Sequence, residues 1–381
     1  MKRILKMSKR IVAFALVSAL ALTTLGACGK TKKETDDPSA ETSLDSALSD
    51  DVVDRSKDDG DVAGQSTGDE QTAGLQSKNG DIFKIGVVQF ADHPSLDNCY
   101  AGFVEGLRDA GFVDGETIQI DHQSGQADTA ITNQIVNSFV SQNYDLICGI
   151  ATPAAQAAYN TGSKANIPVI FNAVTDPIAA ELANSDGTNK VGVTGVSDAL
   201  PIEQQLKMIR AFLPDAKTIG ILYSTSETNS VSSLAIYEDL APEYGFTIVS
   251  EGVNAAGDVP LAADQMLNKV DCVSNLTDNL VVQNMATIIN KCKEKGIPYF
   301  GSEEEQVVNG CLAAEGLDYL ELGRQTGVMA ARVFAGETAE FIPFETIKDS
   351  QPFYNPAVLD ELNLTVPADY ADRIIDVSVK D

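Results

Sequence analysis

Lys84-Ile85-Gly86-Val87-Val88-Gln89-Phe90 is a short apolar run, and it has a counterpart 134 positions on in Thr218-Ile219-Gly220-Ile221-Leu222-Tyr223. Three more landmarks recur in the same order. Gly111-Phe112 returns as Gly245-Phe246, Asp145 ahead of an apolar run returns as Asp271, and Ile167-Pro168 returns as Ile297-Pro298. Between these landmarks, short apolar runs alternate with helix-length amphipathic stretches, the βαβα pattern of parallel sheets covered by helices. The runs 84–90, 117–121, 146–150, 169–172 and 192–196 read as one set of strands, and 218–223, 246–250, 272–276, 299–301 and 311–314 as a second. Two similar α/β lobes are therefore expected. Ligands of such open sheets lie beyond the carboxyl ends of the strands, so two facing lobes would define one cleft.

The chain has 381 residues, 44% of them hydrophobic, which is the composition of a folded protein of two or three domains. Its 27 basic side chains against 55 acidic ones give a net charge of −28 and argue against a nucleic-acid partner, which needs cationic surface to displace counterions. With no Trp and two His, a His-rich metal enzyme does not fit.

The first residues read as an address. Lys2, Arg3, Lys6, Lys9 and Arg10 precede the apolar stretch 11–25, and Leu25-Gly26-Ala27-Cys28 resembles the lipobox of bacterial lipoproteins. Residues 1–27 are then a signal peptide, and Cys28 carries the lipid. From Thr31 to Gly80 there is no aromatic residue, and 13 acidic side chains face 5 basic ones, so residues 28–80 read as a disordered, self-repelling tether. The expected division beyond it is an N-terminal lobe over 81–198 with return segments from 317–381, and a C-terminal lobe over 199–316. The lobes carry most of the acidity, with 42 acidic and 16 basic side chains from Asp81 onward.

The strand ends hold the chemistry. After Ile150, Thr152 reads as a helix N-cap with Pro153 at the first helical position, and the free N–H groups of Ala154 and Ala155 would suit a carboxylate. Val174-Thr175-Asp176-Pro177 repeats the arrangement with an acidic cap, better matched to an ammonium group. In the second lobe the polar loop 224–230, Thr277-Asp278-Asn279 and Ser302-Glu303-Glu304 follow three strands. Donors from one element and carboxylates from others, converging on a cleft, are what a zwitterion requires. Phe90, Tyr100, Phe171, Tyr223 and Phe300 lie near the same edge as candidate apolar walls.

Motifs for catalysis are missing. Cys99, Cys148, Cys272, Cys292 and Cys311 form no CxxC pair, and there is neither a G-x-S-x-G elbow nor a G-x-G-x-x-G fingerprint. No enzyme activity, cofactor or metal is expected.

Long stretches of the folded region are similar to the ABC transporter substrate-binding lipoproteins of the tryptophan/phenylalanine-binding type. They are Gln89-Phe90 with His93-Pro94-Ser95-Leu96-Asp97, residues 151–157, 173–177 and 193–198, Thr277-Asp278-Asn279, and residues 316–319 through 321–327. The resemblance implies a type I periplasmic-binding-protein fold, in which two Rossmann-like lobes close about a hinge on a small solute for delivery to an ABC permease. The hinge is expected near 197–200 and 316–319, with a further crossing toward the C-terminus. Carried over position by position, it implies a ligand-binding set of Gln89, Phe90, His93, Pro94, Ser95, Leu96, Thr152, Pro153, Ala154, Asp176, Tyr223, Glu227, Asn229, Asp278, Asn279 and Glu303. Within that set Thr152 would take the carboxylate and Asp278 or Asp176 the ammonium group. Leu280-Val281-Val282 is bulkier than the small polar residues expected after the Asp-Asn pair, so pocket volume should differ. An aromatic or hydrophobic L-amino acid is the expected ligand of a lipid-anchored, extracytoplasmic monomer; a sensing subunit for a membrane receptor, and another solute such as a nucleoside, stay open.

Overall fold

A computed structural model describes residues 82–379; the segments expected to be signal peptide and tether, with Cys28, lie outside the described residues. The first lobe runs β1 (Phe83–Gln89), α1 (Pro94–Asp109), β2 (Ile118–Ser124), α2 (Thr129–Ser141), β3 (Leu146–Ile150), α3 (Thr152–Gly162), β4 (Val169–Asn172) and β5 (Val193–Ser197). The chain then crosses into α4 (Ile202–Phe212), β6 (Thr218–Ser224), α5 (Thr228–Leu240), β7 (Thr247–Val253), α6 (Val259–Leu267), β8 (Cys272–Ser274), α7 (Asn279–Gln283), α8 (Met285–Lys295), β9 (Tyr299–Phe300), α9 (Glu304–Val308) and β10 (Ala313–Gly316). It continues through α10 (Tyr319–Phe334) and β11 (Glu345–Thr346), and ends with β12 (Gln351–Tyr354), α11 (Pro356–Glu361) and β13 (Ile375–Asp376).

One sheet has the order β11-β5-β4-β3-β1-β2 and another β7-β6-β8-β9, and every pairing within them is parallel. Leu312 and Gly301 exchange backbone bonds with Tyr299 and Ala313, which carries the second sheet on into β10, β12 and β13. β1, β3, β4 and β5 are almost wholly buried, as expected of parallel strands with helices on both faces. The segment beyond 317 does not return to the first lobe as a unit. α10 and β11 join the first lobe, whereas β12 and β13 pair onto β10 of the second. Three chain crossings therefore link the lobes, at 198–201, 317–318 and 347–350.

The recurring landmarks do the same jobs in both lobes. Asp145 Oδ2 accepts the Lys84 N–H at 2.8 Å, and Asp271 Oδ2 accepts those of Lys217 and Thr218 at 2.7 and 2.9 Å, so each aspartate pins the start of its lobe's first strand. Gly111 and Gly245 both take a left-handed φ, +91° and +74°, to turn the chain after a helix. The carbonyls of Pro168 and Pro298 accept from Ile147 and Val273, one strand over in each sheet. The five cysteines are unbridged and buried, where burial raises their thiol pKa values and leaves them as small apolar side chains.

Helices α1 and α10 set the floor of the cleft. Gly102 and Gly106 on α1 meet Gly323 and Gly327 on α10, and a Cβ on any of the four would strike the opposite backbone: Leu320, Arg324, Cys99 or Phe103. This backbone contact brings the N-termini of both helices, which carry Ser95 and Tyr319, to one place.

Candidate functional site

The carboxyl ends of the strands of both lobes enclose a narrow cleft, lined by residues of both lobes and of the crossings between them. From the first lobe, His93, Ser95 and Leu96 reach it after β1, Ala151 and Thr152 after β3, and Ala173 and Thr175 after β4. Asp198 enters from the first crossing and Tyr319 from the second. The second lobe supplies Asn229 after β6, Thr277, Asn279 and Val282 after β8, and Glu303 after β9. Ala151 and Ala173 hold left-handed φ values of 73° and 56°, strained for alanine, and their small side chains leave room in the cleft.

The polar groups of the cleft are incompletely satisfied by the protein. Among the described residues, six buried side-chain atoms have no hydrogen-bond partner, and five of them belong to cleft residues: His93 Nδ1, Ser95 Oγ, Thr152 Oγ1, Asn229 Oδ1 and Glu303 Oε2. Buried polar atoms are nearly always paired, by protein or by ordered water, so this concentration singles out the cleft.

Each orphan is held by its neighbours. Ala151, not Thr152, is the N-cap of α3; Thr152 is its first residue, so its hydroxyl is not spent on capping and faces the cleft. The Ala155 N–H, expected to receive a carboxylate, donates instead to the Ala151 carbonyl at 3.0 Å. Asn229 Nδ2 donates to the Thr277 carbonyl at 2.9 Å, which fixes the amide and turns Oδ1 free. Glu303 Oε1 accepts from Gln306 at 3.1 Å while Oε2 stays open beside Ser95; burial pushes this carboxyl up to about 7. Asp198 is raised too, mainly by burial, but the hydroxyls of Thr175 (3.0 Å) and Tyr319 (2.8 Å) already engage its two oxygens.

Of the sixteen residues the sequence nominates for this cleft, seven line it: His93, Ser95, Leu96, Thr152, Asn229, Asn279 and Glu303. The other nine serve it from behind or lie apart. Gln89 is buried and bonds Asp97 (2.8 Å), the Ala91 carbonyl (2.9 Å) and His122 (3.1 Å), bracing the loop that carries His93. Glu227 accepts from Asn279 N and Nδ2 and from Leu280 N, and so orients Asn279; its pKa is raised by burial and by Asp278. Asp278 caps α7 through Val281 N–H (2.8 Å) and accepts the Ser224 N–H, so it ties β6 to β8 and does not face the cleft as an ammonium site would. Asp176 caps its own turn through Ile178 and Ala179 and accepts the Ser232 hydroxyl from the other lobe, again outside the cleft. Phe90 and Ala154 are core, Tyr223 packs on the second lobe's core, Pro94 is exposed, and Pro153 is the second residue of α3.

The expected aromatic walls are likewise absent. Phe171 and Phe300 are buried in the two cores, and Tyr100 stacks on His122 at 3.8 Å. The apolar lining is Leu96, Ala151, Ala173 and Val282, with Tyr319 as its aromatic member. Thr175, Asp198, Val282 and Tyr319 are cleft residues that the sequence reading did not nominate. All four sit in or beside motifs it quotes, but whether a side chain there faces the cleft or the core depends on the turn's geometry.

Hydrogen bonds bridge the lobes around this cleft. His93 Nε2 meets Asn279 Oδ1 at 3.4 Å, Asn98 Nδ2 meets Glu305 Oε1 at 2.9 Å, and Thr175 meets Thr277 at 3.4 Å. The lobes are closed upon each other.

Residues 84–375 match the family model of the ABC transporter substrate binding protein. A "Tyrosine-binding protein" of Clostridioides difficile (strain R20291) is 37% identical over 306 residues, which is 80% of this chain and 88% of that one. The ABC domain from Streptococcus pneumonia in complex with L-Trp superposes with a TM-score of 0.74 at 32% identity, covering 77% of this chain and all of that one. A ligand-free, open substrate binding protein with adhesive properties from Clostridium difficile gives a TM-score of 0.60 at 35% identity, covering 77% and 99%. The lower score at higher identity agrees with the closed lobes seen here. A two-lobed α/β fold with one cleft, and this match over most of its length, make the chain a member of the ABC transporter substrate-binding protein family.

Proposed function

We propose that the protein captures an aromatic L-amino acid between its lobes, outside the cytoplasmic membrane, held there by a lipid on Cys28, and presents it to an ABC permease. The observation that carries this reading is the set of unpaired buried atoms around one small cleft. Glu303 Oε2 and Asn229 Oδ1 are acceptors for an α-ammonium group, and the hydroxyls of Ser95 and Thr152 are donors for an α-carboxylate. Small and apolar residues, Leu96, Ala151, Ala173 and Val282, line the cleft between them as a ring would require. The tyrosine and tryptophan named for the two relatives support an aromatic side chain.

A thermal-shift screen of L-amino acids, nucleosides and sugars tests the ligand class. At one hundred times its Kd a ligand stabilises by about 2.7 kcal/mol, or several degrees in Tm. Shifts confined to aromatic amino acids are expected, and a response to nucleosides or sugars alone would overturn the reading.

The ammonium partner gives a pH signature. The free Glu303 carboxyl titrates near 7 because burial disfavours its charge, whereas an ammonium ligand requires it ionised. Affinity should therefore tighten about tenfold from pH 6 to pH 8, with a proton released on binding. Titration calorimetry in buffers of different ionisation enthalpy measures both, and a Kd flat across this range would exclude Glu303 as the ammonium site.

A further inference from the structure

Two of the hydrogen bonds between the lobes are made by residues that do not line the cleft. Asn98 on α1 donates from Nδ2 to Glu305 Oε1 on α9 at 2.9 Å, and the Ser232 hydroxyl on α5 donates to Asp176 Oδ2 in the turn after β4. Asn98 and Asp176 belong to the first lobe, Glu305 and Ser232 to the second. The bridging pairs within the cleft, His93 with Asn279 and Thr175 with Thr277, are longer, at 3.4 Å each.

The sheet order places the two outer bonds. β3 lies between β1 and β4, and β8 between β6 and β9. Asn98 follows β1 and Glu305 follows β9, whereas Asp176 follows β4 and Ser232 follows β6. One bond therefore stands on each side of the strand ends that bring Thr152 and Asn279 to the cleft.

Their chemistry suits a closure that must be undone. Each pairs a carboxylate with a neutral donor, a stronger bond than one between two neutral groups but without a second charge to strip of water. All four side chains are half-buried, so on opening water takes up each donor and acceptor and no buried charge is stranded. Asp176 is set in advance: its Oδ1 accepts the N–H groups of Ile178 and Ala179 at 3.1 and 2.9 Å, which holds Oδ2 toward the other lobe. Asn98 rides on α1, which its glycine contact with α10 fixes in the first lobe.

We infer that Asn98–Glu305 and Asp176–Ser232 are a pair of latches that set how long the closed form lasts, whichever aromatic amino acid it holds. Partners on separate lobes bond only once the lobes meet, so the latches slow opening and leave capture by the open form unchanged. The inference rests on the aromatic amino-acid reading above for its ligand and adds a device for retention that touches no ligand atom.

The test measures release of L-Trp from the full-length protein and from Asn98→Ala, Ser232→Ala and the double variant. The chain has no tryptophan, so the ligand's own indole fluorescence reports its displacement by excess L-Tyr in stopped flow. Each single change should speed release about three- to tenfold, and the double variant by about the product of the two, with the association rate unchanged. The Kd values of L-Trp and L-Tyr should rise by the same factor. Ser232→Thr keeps the hydroxyl and should release as the wild type does. Release within about twofold of the wild type in both single variants, unequal losses for the two amino acids, or Ser232→Thr as fast as Ser232→Ala would each overturn the inference. If the wild type binds neither amino acid, the aromatic reading fails, and the latches are then read without ligand from electron spin resonance distances between one spin label on each lobe. There the double variant should shift the population to longer separations, and an unchanged distribution would overturn the latches on their own.

Discussion

Glu303→Gln is expected to weaken aromatic amino-acid binding by about a hundredfold or more while making the protein more stable at pH 8. The first effect follows from taking the charged partner from a buried ammonium group, which typically costs about 3 kcal/mol or more. The second follows from linkage. The folded carboxyl titrates near 7, above the ordinary value of 4.5, because burial disfavours its charge. The folded state without ligand therefore loses stability as pH rises from about 4.5 through 7, by on the order of 3 kcal/mol in full above that range. Glutamine keeps a carbonyl for Gln306 and removes the charge, so the gain should be present at pH 8 and absent near pH 4.5. Calorimetric titration with L-Tyr and melting curves at both pH values measure the two effects. A variant that loses affinity and also melts lower at pH 8 would make Glu303 a structural residue and remove it from the site.

Gly323→Val should be the most damaging single change outside the cleft. At this position a Cβ would fall inside the van der Waals shell of the Cys99 carbonyl, and carbonyls, unlike side chains, cannot rotate away. The backbones of α1 and α10 would have to part, which lifts α10 from the first lobe's core and displaces the helix ends carrying Ser95 and Tyr319. The expected loss is about 3 kcal/mol or more, with ligand binding lost alongside. The opposing Gly102→Val should behave the same way, because its Cβ would meet the Leu320 carbonyl. Melting temperature with and without L-Tyr reads both effects, and wild-type stability in either variant would refute the close crossing.

The repeat of landmarks made the fold legible because each landmark answers a backbone requirement that both lobes share. Asp145 and Asp271 pin first strands, and Gly111 and Gly245 take left-handed turns, so the same residue type meets the same need in each lobe. The fate of the last 65 residues was not legible in the same way. β11, β12 and β13 are strands of two to four residues, and their choice of sheet depends on edges that β5 and β10 leave open, a tertiary matter.

The site was legible as a set of strand ends but not as a set of side chains. Asp278, with Asp176 as the alternative, reads as the ammonium ligand because an aspartate after a strand can either cap the next helix or face the cleft, and sequence does not separate the two. It caps α7, and Glu303, two strand ends from Asn229, keeps the open oxygen. Thr152 lines the cleft for a reason other than the N-cap role its sequence suggests: its hydroxyl is open because Ala151 takes the cap position with φ 73°. The glycine contact between α1 and α10 is not legible in the sequence either, since Gly323 and Gly327 are informative only beside Gly102 and Gly106, more than two hundred residues earlier.

The most direct test of amino-acid capture through Glu303 is a calorimetric titration of the ligand-stripped protein with L-tyrosine and with N-acetyl-L-tyrosine at pH 8. Acetylation keeps the ring, the phenol and the carboxylate and removes the ammonium charge. Saturable one-to-one binding of L-tyrosine, and a loss of about a hundredfold or more on acetylation, is the expected result. Equal binding of the two, or binding of neither, would contradict it.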